Sequence, residues 1–139
     1  MMKIRTAMMP LALYASMLLI LIAIPACTSR PAEADAMTRD VFQAYIGSDY
    51  TKYVNSFAEE LRRDADNREQ YDEEIAAITQ RFGEYVTDSL KYWKTEKEEP
   101  LIIVYYKARF TVDPEVIVQT VFREIDGDLT LFGFWLSPR

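Results

Sequence analysis

Apolar residues between positions 32 and 82 recur at intervals of three and four, which is the period of an amphipathic helix. Gly47 and the polar run 64–67 interrupt this period and divide the region into three predicted helices, with Gly47 in a left-handed cap. Ser48 or Asp49 can cap the second helix, and residues 64–67 supply a cap for the third. The predicted helices span Ala32–Ile46, Tyr50–Arg63 and Arg68–Phe82, and Gly83 ends the last one.

After Gly83 the apolar positions alternate, which indicates strands. Turn signals at 112–115 and at Asp126-Gly127 join successive strands as hairpins. The predicted strands span Glu84–Thr95, Leu101–Phe110, Glu115–Ile125 and Leu129–Leu136. Helices followed by a meander predict an α+β fold, with three N-terminal helices packed on one face of a four-stranded antiparallel sheet.

The second predicted strand is apolar on both faces near its start. Val104 and Tyr106 share one face, while Leu101, Ile103 and Tyr105 lie on the other. One face meets the helices, so the opposite face needs a cover, a ligand or a partner.

The first 27 residues carry a separate signal. Lys3 and Arg5 precede an apolar run from residue 7 to 24, which is the layout of a secretory signal. Ile24, Ala26 and the chain's one cysteine, Cys27, then resemble the lipobox of bacterial lipoproteins. The predicted organisation is a signal peptide over residues 1–26, a lipidated cysteine and tether over 27–36, and a domain over 37–139.

This resemblance implies cleavage before Cys27 and attachment of acyl chains to its sulfur and its new amino group. Two or three acyl chains are enough for stable membrane anchoring. Thr28 and Ser29 differ from the acidic residues of an inner-membrane retention signal, which implies a location in the cell envelope, on the outer membrane facing the periplasm where the source has two membranes. The alternative is an uncleaved membrane helix that ends near Ile24.

Composition narrows the chemistry. The 139 residues include no histidine and one cysteine, which excludes histidine-based catalysis and an internal disulfide. Loss of Lys3 and Arg5 with the signal leaves 14 basic and 22 acidic residues, a formal charge of −8. Such a domain repels nucleic-acid phosphates, so no nucleic-acid partner is expected. No metal site and no cofactor are predicted.

The stretches 44–61 and 121–138 resemble a helix–Gly–Asp–helix corner and a last hairpin of the nuclear-transport-factor-2-like superfamily, also called cystatin-like. The resemblance covers nearly the whole domain and is structural, so it implies fold more than function. It implies that the sheet curls into a cone with the helices. Such a cone holds a small apolar molecule, houses an acid–base site or is filled by side chains, and the open sheet face often forms dimers.

Candidate pocket residues are aromatic rings with polar tips and one acid, Asp88, which strict alternation places on a buried face of the first strand. The competing interpretation is core packing of the rings and a solvated Asp88. The predicted pocket residues are Tyr50, Tyr53, Asp88, Tyr92, Tyr106 and Trp135.

Three function classes remain open. The leading hypothesis is a lipid-anchored, non-enzymatic domain that binds a small apolar ligand and contacts the membrane through lipid on Cys27. The first alternative is an interaction module that forms a homodimer or docks to a larger complex through the open sheet face. The second is an isomerase or dehydratase that uses Asp88 and a tyrosine, which the missing acid–base cluster disfavours.

Overall fold

A computed structural model describes residues 32–139 as an α+β fold, with four helices and one four-stranded antiparallel sheet. Cys27 and the predicted signal peptide lie outside the described residues. The helices are α1 (Ala32–Ile46), α2 (Tyr50–Asn55), α3 (Glu59–Ala65) and α4 (Arg68–Phe82), and the strands are β1 (Lys91–Glu98), β2 (Leu101–Ala108), β3 (Val116–Ile125) and β4 (Asp128–Pro138).

The structure has two short helices where the sequence predicts one long second helix. The break falls at Phe57, which forms a bridge with Leu131 of β4. The backbone N–H of Ala58 donates to the Leu131 carbonyl at 2.9 Å. The chain therefore leaves the helical path to pair with the sheet, and both Phe57 and Ala58 are buried. This tertiary contact overrides the local helical period, which continues through the break.

The first strand begins later than predicted. Residues 84–90 are irregular, and β1 begins at Lys91. The Val86 N–H donates to the Arg109 carbonyl, and the Arg109 N–H donates to the Ser89 hydroxyl, both at 2.9 Å. The segment therefore follows the end of β2 through single contacts, and the predicted alternation across it is wrong.

Local signals at the other helix ends act largely as predicted. Asp49 caps α2 by accepting from the Lys52 N–H at 3.2 Å, and Asn67 caps α4 by accepting from the Gln70 N–H at 3.0 Å. The residue in the left-handed region after α1 is Ser48, with φ 56°, rather than Gly47. Gly83 ends α4 as predicted.

The sheet is a meander in the order β1-β2-β3-β4. Asp126 and Gly127 both have positive φ, 53° and 85°, as a tight hairpin turn between β3 and β4 requires. The predicted alternation along β2 is confirmed, because Val104, Tyr106 and Ala108 are fully buried on the helix side.

Helix α1 crosses this inner face and supplies much of the core. The buried hydroxyls of Thr38 and Thr120 of β3 are 2.9 Å apart and hydrogen-bonded. Phe42 and Ala34 are both fully buried. Helix α1 begins at Ala32, as the helical period predicts, so residues 32–36, which the predicted tether also included, are helical.

Candidate functional site

Helix α4 packs against the core less closely than α1, and only Tyr71 and Phe82 are buried along its length. Two adjoining cavities of about 480 and 230 Å³ lie along its inner side, and Tyr45 and Ile78 line both. We call these cavities together the α4 groove. Its main apolar lining consists of Tyr45, Ile46, Ile75, Ile78, Phe110 and Phe134.

Tyr45 lies at the centre of an aromatic cluster beside the groove. Its ring centroid is 5.3 Å from that of Tyr53, 5.8 Å from that of Tyr71 and 5.2 Å from that of Phe134. The Tyr71 hydroxyl donates to the carbonyls of Ala44 and Tyr45, each at 3.3 Å. These bonds fasten the first half of α4 to the end of α1, while Ile75 and Ile78 beyond them are half-buried at the groove.

The charged groups that line the groove are acidic. Glu84 borders the larger cavity and Glu74 the smaller one, and no lysine or arginine of residues 32–139 lines either. Burial, with a smaller effect of the Glu74 carboxylate, raises the pKa of the Tyr45 hydroxyl and raises the pKa of Tyr53 to about 12. Both hydroxyls therefore stay protonated at neutral pH and are hydrogen-bond donors.

The six predicted pocket residues do not meet at one site. Tyr53 lines the smaller cavity of the α4 groove, and Trp135 of the edge strand β4 borders it, although the Trp135 indole lies over Gly133 on the open sheet face. The Tyr50 hydroxyl instead donates to Asp66 at 2.5 Å, and Tyr92 lies at the start of β1, across the sheet from the edge strand β4.

Two of the predicted pocket residues, Asp88 and Tyr106, lie in surroundings that do not fit a pocket. Asp88 is exposed in a turn with φ 59°, so it does not occupy the buried strand face that the alternation predicts. Tyr106 is fully buried, and its hydroxyl donates to Asp35 at 2.7 Å, which ties β2 to the first turn of α1. Tyr106 is therefore a core residue.

The sequence analysis missed Ile75, Ile78 and Glu74 as lining residues. The apolar stripe of α4 was visible in the sequence, but periodicity indicates only which face points inward. It does not show how closely that face approaches the sheet, which depends on the path of the chain between α2 and α4.

The open face of the sheet is largely covered by its own side chains. Ile103, Ile117 and Val121 on this face are each only 8% exposed. Lys94 Nζ lies 5.0 Å from the Trp93 ring centroid and 4.6 Å from that of Tyr105.

Two further contacts hold this cover in place. The Tyr105 hydroxyl donates to the Glu96 carboxylate at 3.1 Å. The same carboxylate accepts a hydrogen bond from Lys94. The indole of Trp135 lies over Gly133, where an added Cβ would be 2.0 Å from the ring. The cover that the apolar second strand needs is thus mainly internal, although Trp93 and Trp135 remain 44% and 53% exposed.

Within residues 32–139, no helix combines the length and apolarity that crossing a membrane requires. The same part of the chain has no group of three or more acidic or cysteine side chains placed to hold a metal ion.

Comparisons with known proteins give likenesses to solved structures alone. No protein-family model matches the chain, and no curated protein matches it. The solution structure of a SEC-C motif containing protein from Rhodopseudomonas palustris aligns with a TM-score of 0.45 and 20% sequence identity, over 72% of this chain and 75% of that one.

Proposed function

We propose that this protein is a lipid-anchored protein of the cell envelope whose domain binds a small apolar molecule in the α4 groove without transforming it. The observation that carries the proposal is the groove itself, a space of about 480 Å³ with mixed apolar and polar lining and an adjoining 230 Å³ with mainly apolar lining, beside a helix that packs less closely than α1. Ligand sites are typically concave, mostly apolar and supplied with a few polar groups. The lipobox-like sequence at Cys27 and the resemblance to cystatin-like cone domains agree with this proposal.

The charges around the groove favour a neutral or cationic ligand. Glu74 and Glu84 border the two cavities, with no compensating cation from residues 32–139 in either lining. A carboxylate or phosphate in the groove would meet like charges at its rim. Gln43 and Thr79 add neutral polar groups, so a ligand with an apolar body and a hydroxyl or amine tip fits best.

The absence of a turnover step in this proposal rests on the same groups. The Tyr45 and Tyr53 hydroxyls have raised pKa values and are donors rather than bases at neutral pH. Asp88, the acid that an isomerase hypothesis needs, is exposed and outside the groove lining. Binding through shape and hydrogen bonding requires neither a catalytic acid nor a catalytic base.

Native mass spectrometry of residues 28–139, which contain every described helix and strand, tests the proposal. The protein is exported to the envelope compartment of the producing cells and purified without detergent. We expect a defined additional mass on the domain. The variant Ile78→Trp fills the point where both cavities meet and should remove that mass.

Ala76→Trp is the matched control, because Ala76 is exposed on the same helix and is absent from both cavity linings. It should keep the additional mass. Retention of the mass by Ile78→Trp would place the ligand elsewhere, and a bare domain throughout would contradict the proposed function.

A homodimer through the open sheet face is the second candidate function. It is favoured by the exposure of Trp93 and Trp135 on one sheet face, at 44% and 53%. Sedimentation equilibrium tests it. A dimer that Trp135→Lys dissociates would support this alternative, whereas a monomer across the micromolar range would contradict it.

A further inference from the structure

One end of the β1–β2 pair is rich in cations and exposed rings. Lys91 and Lys107 are register partners there, and a cavity of about 340 Å³ opens beside them. Tyr92 and Trp93, which are 37% and 44% exposed, also line this cavity. With Arg109, these residues form what we call the cationic edge: Lys91, Tyr92, Trp93, Lys107 and Arg109.

The charge of this edge opposes that of the domain as a whole. Its cavity is lined by three cations and one carboxylate, Glu115, which pairs with both Lys107 and Arg139. The other end of the same strand pair carries three carboxylates, Glu96, Glu98 and Glu99, against the two lysines Lys94 and Lys97. The cationic edge thus carries a local excess of positive charge in a domain that is acidic overall.

Tyrosine and tryptophan among lysine and arginine are the combination that membrane interfaces favour. Lys107 Nζ lies 4.5 Å from the Trp93 ring centroid, so the ammonium and the indole are in contact and lie at the same place on the surface. An anionic headgroup can bind the ammonium while the indole enters the headgroup region.

The described chain begins beside this edge. Arg39 of α1 donates to the Leu90 carbonyl at 3.5 Å, just before Lys91. One turn nearer the start of the helix, Asp35 accepts from Tyr106, whose ring is 5.9 Å from that of Tyr92. The five residues from Cys27 to the start of α1 span at most ~17 Å when extended. A lipid on Cys27 therefore holds this end of the sheet near the bilayer.

We infer that the cationic edge docks on the anionic headgroups of the membrane that holds the lipid anchor. This inference rests on the proposed lipidation of Cys27. It orients the domain with the start of β1 toward the bilayer, and it leaves the acidic β1–β2 hairpin directed away from the anionic surface.

The two tryptophans of the described chain make the test direct. The full chain is produced with its acyl anchor and reconstituted in vesicles of phosphatidylethanolamine and phosphatidylglycerol that contain brominated acyl chains. Trp135→Phe leaves Trp93 as the reporter at the cationic edge, and Trp93→Phe leaves Trp135 on β4. We expect bromine to quench roughly half of the Trp93 emission and little of the Trp135 emission, as an interfacial ring requires.

Charge variants identify the interaction. Lys91→Glu combined with Arg109→Glu, in the Trp135→Phe background, should restore most of the Trp93 emission. Lys97→Glu combined with Arg123→Glu is the matched control, because it makes the same change of four charge units at the other end of the sheet, near the β1–β2 hairpin, and it should leave the quenching intact. Replacement of phosphatidylglycerol by phosphatidylcholine should also relieve the quenching, because the attraction is electrostatic.

Equal quenching of both tryptophans would show that the whole sheet face lies on the membrane and would overturn the inference. Absence of Trp93 quenching in an anchored protein would overturn it as well. Mass spectrometry of the purified chain separates these results from a failure of the anchor. A chain without acyl groups that stays in the supernatant contradicts the lipidation itself, and with it the basis of this inference.

Discussion

Helices α1 and α4 have the same length, fifteen residues each, and both carry an amphipathic pattern, yet they serve different purposes. Helix α1 buries six residues, including the fully buried Val41 and Phe42, and hydrogen-bonds to β3 through Thr38. Helix α4 buries only Tyr71 and Phe82, near its two ends. Equal patterns therefore do not imply equal packing, and the helix that packs less closely leaves the groove.

The largest expected effect separates the two helices by stability. Phe42→Ala in α1 empties a fully buried site and should lower the free energy of unfolding by about 3–5 kcal/mol. Ile75→Ala in α4 removes a half-buried side chain beside the groove and should cost only about 1 kcal/mol. Urea denaturation of residues 28–139 measures both. Equal losses of stability would mean that α4 is packed as closely as α1.

The turn after α4 determines where this helix ends. Gly83 has φ 79°, and an added Cβ would lie 2.1 Å from the Thr111 hydroxyl oxygen. Gly83→Ala should therefore destabilise the domain by about 2–3 kcal/mol, through backbone strain and the clash together.

Gly127→Ala is the control for backbone strain alone. Gly127 also has positive φ, 85°, but an added Cβ there meets nothing within 4 Å. Its cost should be about 1 kcal/mol. Thermal or urea unfolding compares the pair, and a larger loss at Gly127 would show that the close approach at Gly83 is unimportant.

Amide hydrogen exchange should distinguish the two helices without any mutation. Few buried apolar contacts allow local opening, so the middle of α4 should exchange through openings about 2 kcal/mol less costly than those of α1. Mass-spectrometric exchange of residues 28–139 provides the comparison. Protection of residues 73–79 equal to that of residues 38–44 would mean that α4 is as firmly packed as α1.

The smallest expected effect is a dependence of stability on alkaline pH. Burial raises the pKa of Tyr53 to about 12, whereas the pKa of a tyrosine in the unfolded chain is about 10. Between these values the folded state holds more protons than the unfolded state, so stability falls as pH rises from 10 toward 12 and is unaffected at neutral pH. The free energy of unfolding of the Tyr53→Phe variant should fall less steeply over that pH range. Chemical denaturation at several pH values measures this slope. An unchanged slope would mean that Tyr53 is not buried as described.

Much of the fold could be predicted from local signals. The cap at Asn67, the stop at Gly83 and the Asp126-Gly127 hairpin are set by residues next to the feature they specify. The four-stranded antiparallel meander follows from these turns. The break in the second helix could not be predicted, because it depends on a bridge from Phe57 to Leu131, far along the chain.

The site was less predictable than the fold. Tyr53 and Trp135 were identified as pocket residues from their chemistry, but Tyr106 has the same chemistry and is buried in the core. These residues differ in how closely the elements around them pack, and the hydrophobic periodicity of the sequence does not indicate that distance. Asp88 shows the same limit, because its predicted face depended on a strand that begins only at Lys91.

The most direct test of the central claim is a titration of residues 28–139 with 1-octanol, followed by NMR of the isoleucine δ1 methyl groups. Ile46, Ile75 and Ile78 line the α4 groove, whereas Ile103 and Ile117 lie on the opposite sheet face and report non-specific contact. The proposed function predicts saturable shifts at the three groove methyls, little change at the two others, and weaker binding of octanoate because of Glu74 and Glu84. Shifts spread over all five methyls, or absent from the groove, would contradict an apolar binding site beneath α4.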